Sequence, residues 1–518
     1  MELPNFKKKI TLFPQNIFNL RTLILFFVFI ELASFLAYFY SWCNALLFGL
    51  IVLTALFLGF KKPIWSLYIL FIDLILGSKG YLFFADFGDF KLSLRIALFM
   101  VVFIIWGIKF LRAWYKNYRV NKNIWEIPVG FLTIFKRKIN RYYLILGIVI
   151  LWGLIWGIFQ NNGLSNIFFD FNGWLYFLLI IPFTDWFIKN KHINNFLQLL
   201  FAGAIFLCLK TILISYIYSH QHPALMFALF RWMTDFGIGE ISRYIAGFYR
   251  VFIQSQIFVL ATFFISLALL LIQKFQGGKS IWSKYLFIFI ASGITLLISL
   301  SRSYWVGIIV GLVFLFIILK IKFHFTFLQL TKSLGYLMLS AIFSVLLVWG
   351  VINLPPQTDK IDMAELLGSR LTQNEAAGQS RISQLKPLGQ EIIEHPVIGS
   401  GFGKTATYQS FDPRQMTLEN PEGWRTAYAF EWGYLDMILK FGIAGLIVYL
   451  LLIFNIVRLG WIKIKQNLEI KQNNKAGLIL GLLIGLLAIL ATHMFSPYLN
   501  HPLGIGYLIF LNSVLLVI

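Results

Sequence analysis

The chain has 518 residues, 59% of them hydrophobic and only 13% charged, with a formal net charge of +22 and a mean hydropathy of +0.78. Soluble globular domains carry about 25% charged residues, so the composition excludes a soluble globular protein and predicts an integral membrane one. Cys43 and Cys208 are the only cysteines, too few for a disulfide framework or a cysteine metal cluster.

The apolar runs are long and mostly unalternated, which predicts an all-α polytopic membrane protein rather than a β-barrel. Lys7, Lys8 and Lys9 precede an apolar stretch from Leu23 to Tyr40. That stretch is too long for a signal-peptide core, so it reads as a retained first helix. Further spans of roughly 17–25 residues are expected near 43–60, 64–84, 93–111, 142–159, 172–188, 196–218, 251–272, 285–300, 303–319, 333–353, 429–457, 476–496 and 502–518. The expectation is about 12–14 transmembrane helices, with one large external loop between the eleventh and twelfth predicted spans.

Loop charges test the layout. Lys61–Lys62, the stretch from Lys109 to Arg141 with Lys136-Arg-Lys138, Lys189 and Lys191, Lys274, Lys279 and Lys284, Lys320, Lys322 and Lys332, and the stretch from Arg458 to Lys475 alternate with loops poor in Lys and Arg. By the positive-inside rule this puts both termini in the cytoplasm and the 354–428 loop outside. It also accounts for the positive charge without a nucleic-acid partner. The chain divides into N-terminal spans over 1–353, the external loop over 354–428, and C-terminal spans over 429–518. There is no visible fixed-period or inverted repeat, which weakens a secondary-transporter reading.

Some basic residues then stand on the outer side. They are Arg231, Arg243 and Arg250 in the 219–250 loop, Arg302 in a tight turn, and Arg370, Arg381, Lys386, Lys404, Arg414 and Arg425 in the large loop. Each alone reads as a headgroup contact. Together they suit an oxyanion, because guanidinium stays protonated and offers paired donors. Arg302 resists the headgroup reading best, since a lone charge among apolar helices is expensive. ATP is not normally available outside, whereas a lipid-linked diphosphate is. Gln379 to His395 has near-helical apolar spacing and contains Pro387. It reads either as an interfacial lid or as a helix packed on the bundle top.

Gly399-Ser-Gly-Phe-Gly-Lys-Thr405 lacks the first glycine of a phosphate loop, since position 398 is Ile. It reads as a turn that brings backbone close to something. Glu431 opens the next span and can accept a proton from an acceptor hydroxyl; the bland alternative is a helix-N-terminal Glu favoured by the macrodipole. His493 and His501 stand at the outer ends of the last two spans. Glu31, Asp73 and Lys210 lie inside spans without an assigned partner.

Arg243-x3-Gly247, the Leu-Ser-Arg302-x2-Trp305-x-Gly307 turn, Arg381 followed by His395-Pro-x2-Gly399-x-Gly401, and Tyr434-Leu435 before Phe441-Gly-Ile-Ala-Gly445 resemble the pattern of the O-antigen ligase and polymerase superfamily. The resemblance covers about residues 240 to 457. It implies a GT-C-like, inverting, metal-independent glycosyltransferase without a cofactor, in the bacterial cytoplasmic membrane with its site facing the periplasm. The implied donor is a polyprenyl-diphosphate-linked oligosaccharide, and the acceptor a glycan, lipid or protein. It points to Arg243, Arg302 and Arg381 as diphosphate ligands, to Glu431 with Arg243 and Arg302 as the catalytic set, and to His395, Gly399, Gly401 and Tyr434 as residues shaping the site. Family ligases carry His-Asn where this chain has Glu431-Trp432, which favours a polymerase. A ligase, a lipid-linked glycan flippase and a non-catalytic scaffold of export are the alternatives.

Overall fold

The computed structural model describes residues 17–88, 91–121, 138–187, 190–245, 248–276, 282–355, 376–412, 416–417 and 419–518. Of the residues singled out above, Lys7, Lys8, Lys9, Lys136, Arg137, Lys189, Gly247, Lys279, Arg370 and Arg414 lie outside them.

The protein is an all-α polytopic membrane protein. Among the described residues, eleven helices are long and apolar enough to cross a membrane. They are α1 (Leu20–Phe39), α2 (Ser41–Lys61), α4 (Leu94–Asn121), α5 (Lys138–Phe159), the compound helix Leu164–Trp186, α8 (Asn190–Ser219), α10 (Gln256–Gln276), α12 (Arg302–Lys322), α13 (Phe327–Ile352), α15 (Gly433–Glu469) and α16 (Asn473–His493). The compound helix consists of α6 (Leu164–Phe171), a 3-10 stretch (Asn172–Leu179) and α7 (Ile180–Trp186). Three shorter apolar helices, α3 (Ile64–Leu76), α11 (Trp282–Ser299) and α17 (Pro502–Val517), complete the expected order. The large loop falls between the eleventh and twelfth apolar helices.

Several boundaries differ from expectation: α4 and α15 run on to Asn121 and Glu469, and the compound helix begins at Leu164. α3 stops at Leu76 rather than near 84, because Gly77-Ser78 turns the chain and Ser78 adopts φ 48°. The 219–250 segment is not a plain loop. Beyond the short antiparallel pair of β1 (Phe84–Asp86) and β2 (Lys91–Ser93), it forms α9 (Pro223–Asp235) and an antiparallel ribbon of β3 (Glu240–Ile245) and β4 (Phe248–Phe252).

α10 is the axis of the bundle: every residue from Gln256 to Gln273 is buried. Lipid-facing helices need only one packed stripe, whereas this one is enclosed by α8, α11, α12, α16 and α17. Small residues permit the approach. A Cβ on Gly481 would lie 2.6 Å from the Ile265 Cα, and one on Gly307 2.7 Å from the Ala488 carbonyl oxygen.

Among the described residues, the charged side chains buried in the bundle are paired. Glu31 pairs with Lys210, and Asp73 with Arg95 at 2.9 Å. A third buried group joins Lys440 to Asp170 and to Asp436, the latter at 2.7 Å. Uncompensated charge there would be costly, so each pair fixes which helices are neighbours.

Candidate active site

The loop returns to the bundle as α14 (Ala376–Glu394), then β5 (Ala406–Gln409) paired with β6 (Trp424–Ala427). α14 runs unbroken through Pro387. Its inner face buries Leu388 against Ala406, Tyr408, Ala427, Phe430 and Leu439, a small core separate from that of the bundle. Its outer face leaves Ile382 and Ile393 exposed. Of the two sequence readings, packing on the bundle top describes its inner face.

Arg381 on α14 forms an ion pair with Glu431, two residues before α15 begins. Two more bonds clamp the same junction. The Trp432 indole donates to the Arg381 carbonyl at 2.7 Å, and the Glu431 N–H donates to Gln384 Oε1 at 3.2 Å. Arg302, the first residue of α12, reaches beneath the start of α14. Its Nη1 lies 3.7 Å from where a Cβ on Gly378 would sit. Arg302, Arg381 and Glu431, far apart in sequence, therefore meet under the first turns of one helix.

The β3–β4 ribbon closes another side. Ser242 pairs with Arg250 and Arg243 with Tyr249, so the two arginines project from opposite faces of the ribbon. Arg250 Nε donates to the Ser299 carbonyl at 2.8 Å, just before the turn that carries Arg302. Its guanidinium carbon lies 4.8 Å over the Phe252 ring. Burial pulls its pKa below the ordinary value; Glu240 opposes that shift, and Arg381 adds to it. Arg243 is exposed, on the face where Tyr249 packs against Tyr218 at 4.9 Å between ring centroids. Arg302 and Arg381 thus both border the start of α14, while Arg243 lies on the ribbon face opposite Arg250.

His395 is held by Gln160 Nε2 at 3.1 Å and by the edge of Trp156. The glycine run after it is spliced into a break in α15. Gly399, Gly401 and Gly403 have φ of +76°, +83° and +78°, and α15 loses helical geometry at Gly442. The N–H groups of Ile443 and Ala444 donate to the carbonyls of Pro396 and Val397, at 2.9 and 3.2 Å. In return Ser400 N–H donates to the Leu439 carbonyl at 2.6 Å. The break therefore leaves these backbone groups satisfied. Asn162 Nδ2 donates to the carbonyls of Ser400 and Phe402, both at 2.9 Å. The loop's close approach is to helix backbone: a Cβ on Gly401 would lie 2.3 Å from Gly157 N.

Beneath the splice, Asp170 accepts from Gly403 N–H at 3.0 Å and Asp436 accepts from Asn500 Nδ2 at 2.7 Å. Lys440 ties the two carboxylates together. Sequence reading missed this group because Asp436 and Lys440 fall within an apolar span and Asp170 sits 270 residues from Lys440. The i, i+4 spacing of Asp436 and Lys440 was the available signal.

Tyr434 donates to the Leu490 carbonyl at 2.9 Å, and its ring meets His493 edge-on. His493 is buried and accepts from Leu499 N–H at 3.1 Å, while His501 caps α17. Tyr304 and Tyr498 bring their hydroxyls together beside Arg250; Tyr304 is fully buried. This pair was also missed, since nothing in sequence links the two positions.

An acid paired to an arginine, with a further guanidinium near the same helix, can hold an anion and accept a proton from a hydroxyl. No curated protein matches the chain. Residues 285–450, which contain Arg302, Arg381 and Glu431, match the family model described as O-antigen ligase.

Proposed function

We propose that the protein transfers glycan from a polyprenyl-diphosphate-linked donor on the outer face of the bacterial cytoplasmic membrane, with both termini in the cytoplasm. The observation that carries this is the meeting of Arg302, Arg381 and Glu431 beneath α14. Glu431 takes the proton of an acceptor hydroxyl as its oxygen attacks the anomeric carbon. The bond from that carbon to the phosphate oxygen breaks, and its electron pair leaves with the polyprenyl diphosphate. Attack opposite the leaving group inverts the anomeric centre. Arg302 and Arg381, with an arginine of the β3–β4 ribbon, stabilise the growing charge on the diphosphate. This chemistry calls on no cofactor or metal.

Glu431 in place of the family's histidine favours a polymerase, with a second lipid-linked glycan as acceptor. The description of the matched family favours the second reading, a ligase to a lipid or protein acceptor. Purified protein supplied with a lipid-diphosphate oligosaccharide separates them. A longer glycan on the same lipid is expected, whereas transfer to an added lipid or protein acceptor marks a ligase. Arg302→Ala should stay in the membrane and make no extended glycan; normal glycan lengths in that variant overturn the proposal.

A further inference from the structure

Two arginines occupy the β3–β4 ribbon, and the register places them on opposite faces. We infer that Arg250, not Arg243, is the ribbon's diphosphate ligand. The inference rests on the proposed glycan transfer and names one more residue of that site.

Strand parity comes first. Side chains alternate faces along a strand, and the ladder pairs Glu240 with Phe252 and Ser242 with Arg250. Glu240, Arg250 and Phe252 therefore share one face, and Arg243 and Tyr249 share the other. The Arg250 face is turned to the α11–α12 junction, as its bond to the Ser299 carbonyl and the 6.0 Å contact of Phe252 with Tyr304 establish. The Arg243 face is turned to α8 through Tyr249 and Tyr218.

The second argument is the state of the guanidinium. Only Nε of Arg250 is engaged among the described residues, and its acceptor is a carbonyl. The two Nη groups, the fork that matches paired phosphate oxygens, remain unused. Arg250 has Arg381 within electrostatic range, along with Tyr304, Tyr498 and Glu240. Phe252 and the Ser299 carbonyl hold the fork in place before the ligand arrives, so little order is lost on binding. Arg243 is exposed, with no comparable support among the described residues.

The test measures binding of polyprenyl diphosphate, without sugar, to purified protein in lipid nanodiscs. Arg250→Gln should weaken it by about 10- to 100-fold, the range for lost hydrogen bonds to a charged group. Arg243→Gln should lose at least about tenfold less. Arg250→Lys keeps the charge and the stem, and guards against a fold defect in Arg250→Gln. It should bind about tenfold more weakly than wild type, because an ammonium cannot supply the fork. Wild-type affinity in Arg250→Lys, together with a larger loss in Arg243→Gln, overturns the assignment. If the wild type itself neither binds polyprenyl diphosphate nor transfers glycan, the glycan-transfer reading fails and this one falls with it. Transfer by a wild type whose binding is insensitive to Arg250 overturns this inference alone.

Discussion

Arg381 and Glu431 are joined by an ion pair across a gap of 50 residues, one on a helix of the large loop and the other where the chain re-enters the bundle. The pair is partly exposed, with 29% and 45% of the two side chains accessible. Its contribution to stability is therefore modest. Its consequence is positional: it sets a carboxylate against the same guanidinium that the leaving group would need.

Glu431→Gln tests the carboxylate as base. The amide keeps the shape and loses the proton acceptor, so transfer should fall by about 10²- to 10⁴-fold with little change in folding. Glu431→His should recover part of the loss at neutral pH, since imidazole titrates there. The measurement is initial rate with lipid-diphosphate oligosaccharide. Wild-type rates in Glu431→Gln would remove this residue from the chemistry.

The Lys440 group predicts an effect on stability that can be read without substrate. Lys440 is 1% exposed and bridges Asp170 and Asp436. Lys440→Met leaves two buried carboxylates uncompensated and should cost about 3–5 kcal/mol, read as a lowered unfolding midpoint in detergent. Adding Asp170→Asn and Asp436→Asn to that variant should restore most of it. A single variant as stable as wild type would show that the bridge contributes nothing.

The order of helices was legible because apolar length and loop charge are properties of the local sequence, and the arginine-bearing outer segments were legible because charge there contradicts the loop pattern. What sequence did not reveal depends on register and on long-range pairing. Arg243 and Arg250 look equivalent until the ladder assigns them opposite faces. Asp170 and Lys440 cannot be matched without knowing that the compound helix packs beside α15. The glycine run was recognisable as a close approach, but its partner, the broken backbone at Gly442, carries no separate signature in sequence.

That splice gives a sharper test than its composition suggests. Gly401→Ala adds one methyl, yet at φ +83° and 2.3 Å from Gly157 N there is no side chain to yield. Positive φ alone disfavours alanine by about 1 kcal/mol, and the clash with backbone adds to it. The variant should lower both the unfolding midpoint and transfer, since the splice is hydrogen-bonded into α15, whose start Glu431 precedes by two residues. Gly335→Ala, on a lipid-facing helix with open space around the added Cβ, is the matched control. Equal midpoints for the two variants would deny the splice a role in stability.

His501 makes the fold acid-sensitive. It caps α17 by accepting from Leu503 N–H, at 3.4 Å, and that acceptor nitrogen must be unprotonated. Burial, then the neighbouring Arg95 and Lys79, push its pKa down to about 3 from 6.5. A histidine depressed in the folded state contributes stability above its unfolded pKa, and that contribution is lost as pH falls from about 6.5 toward the folded value. Between pH 7.5 and 5 the loss is on the order of 2 kcal/mol. His501→Asn keeps a capping oxygen and cannot titrate. Its unfolding midpoint should therefore fall less over that interval than that of the wild type, while carboxylates elsewhere affect both proteins alike. Parallel pH profiles for the two would mean that His501 is already protonated, or already exposed, in the folded protein.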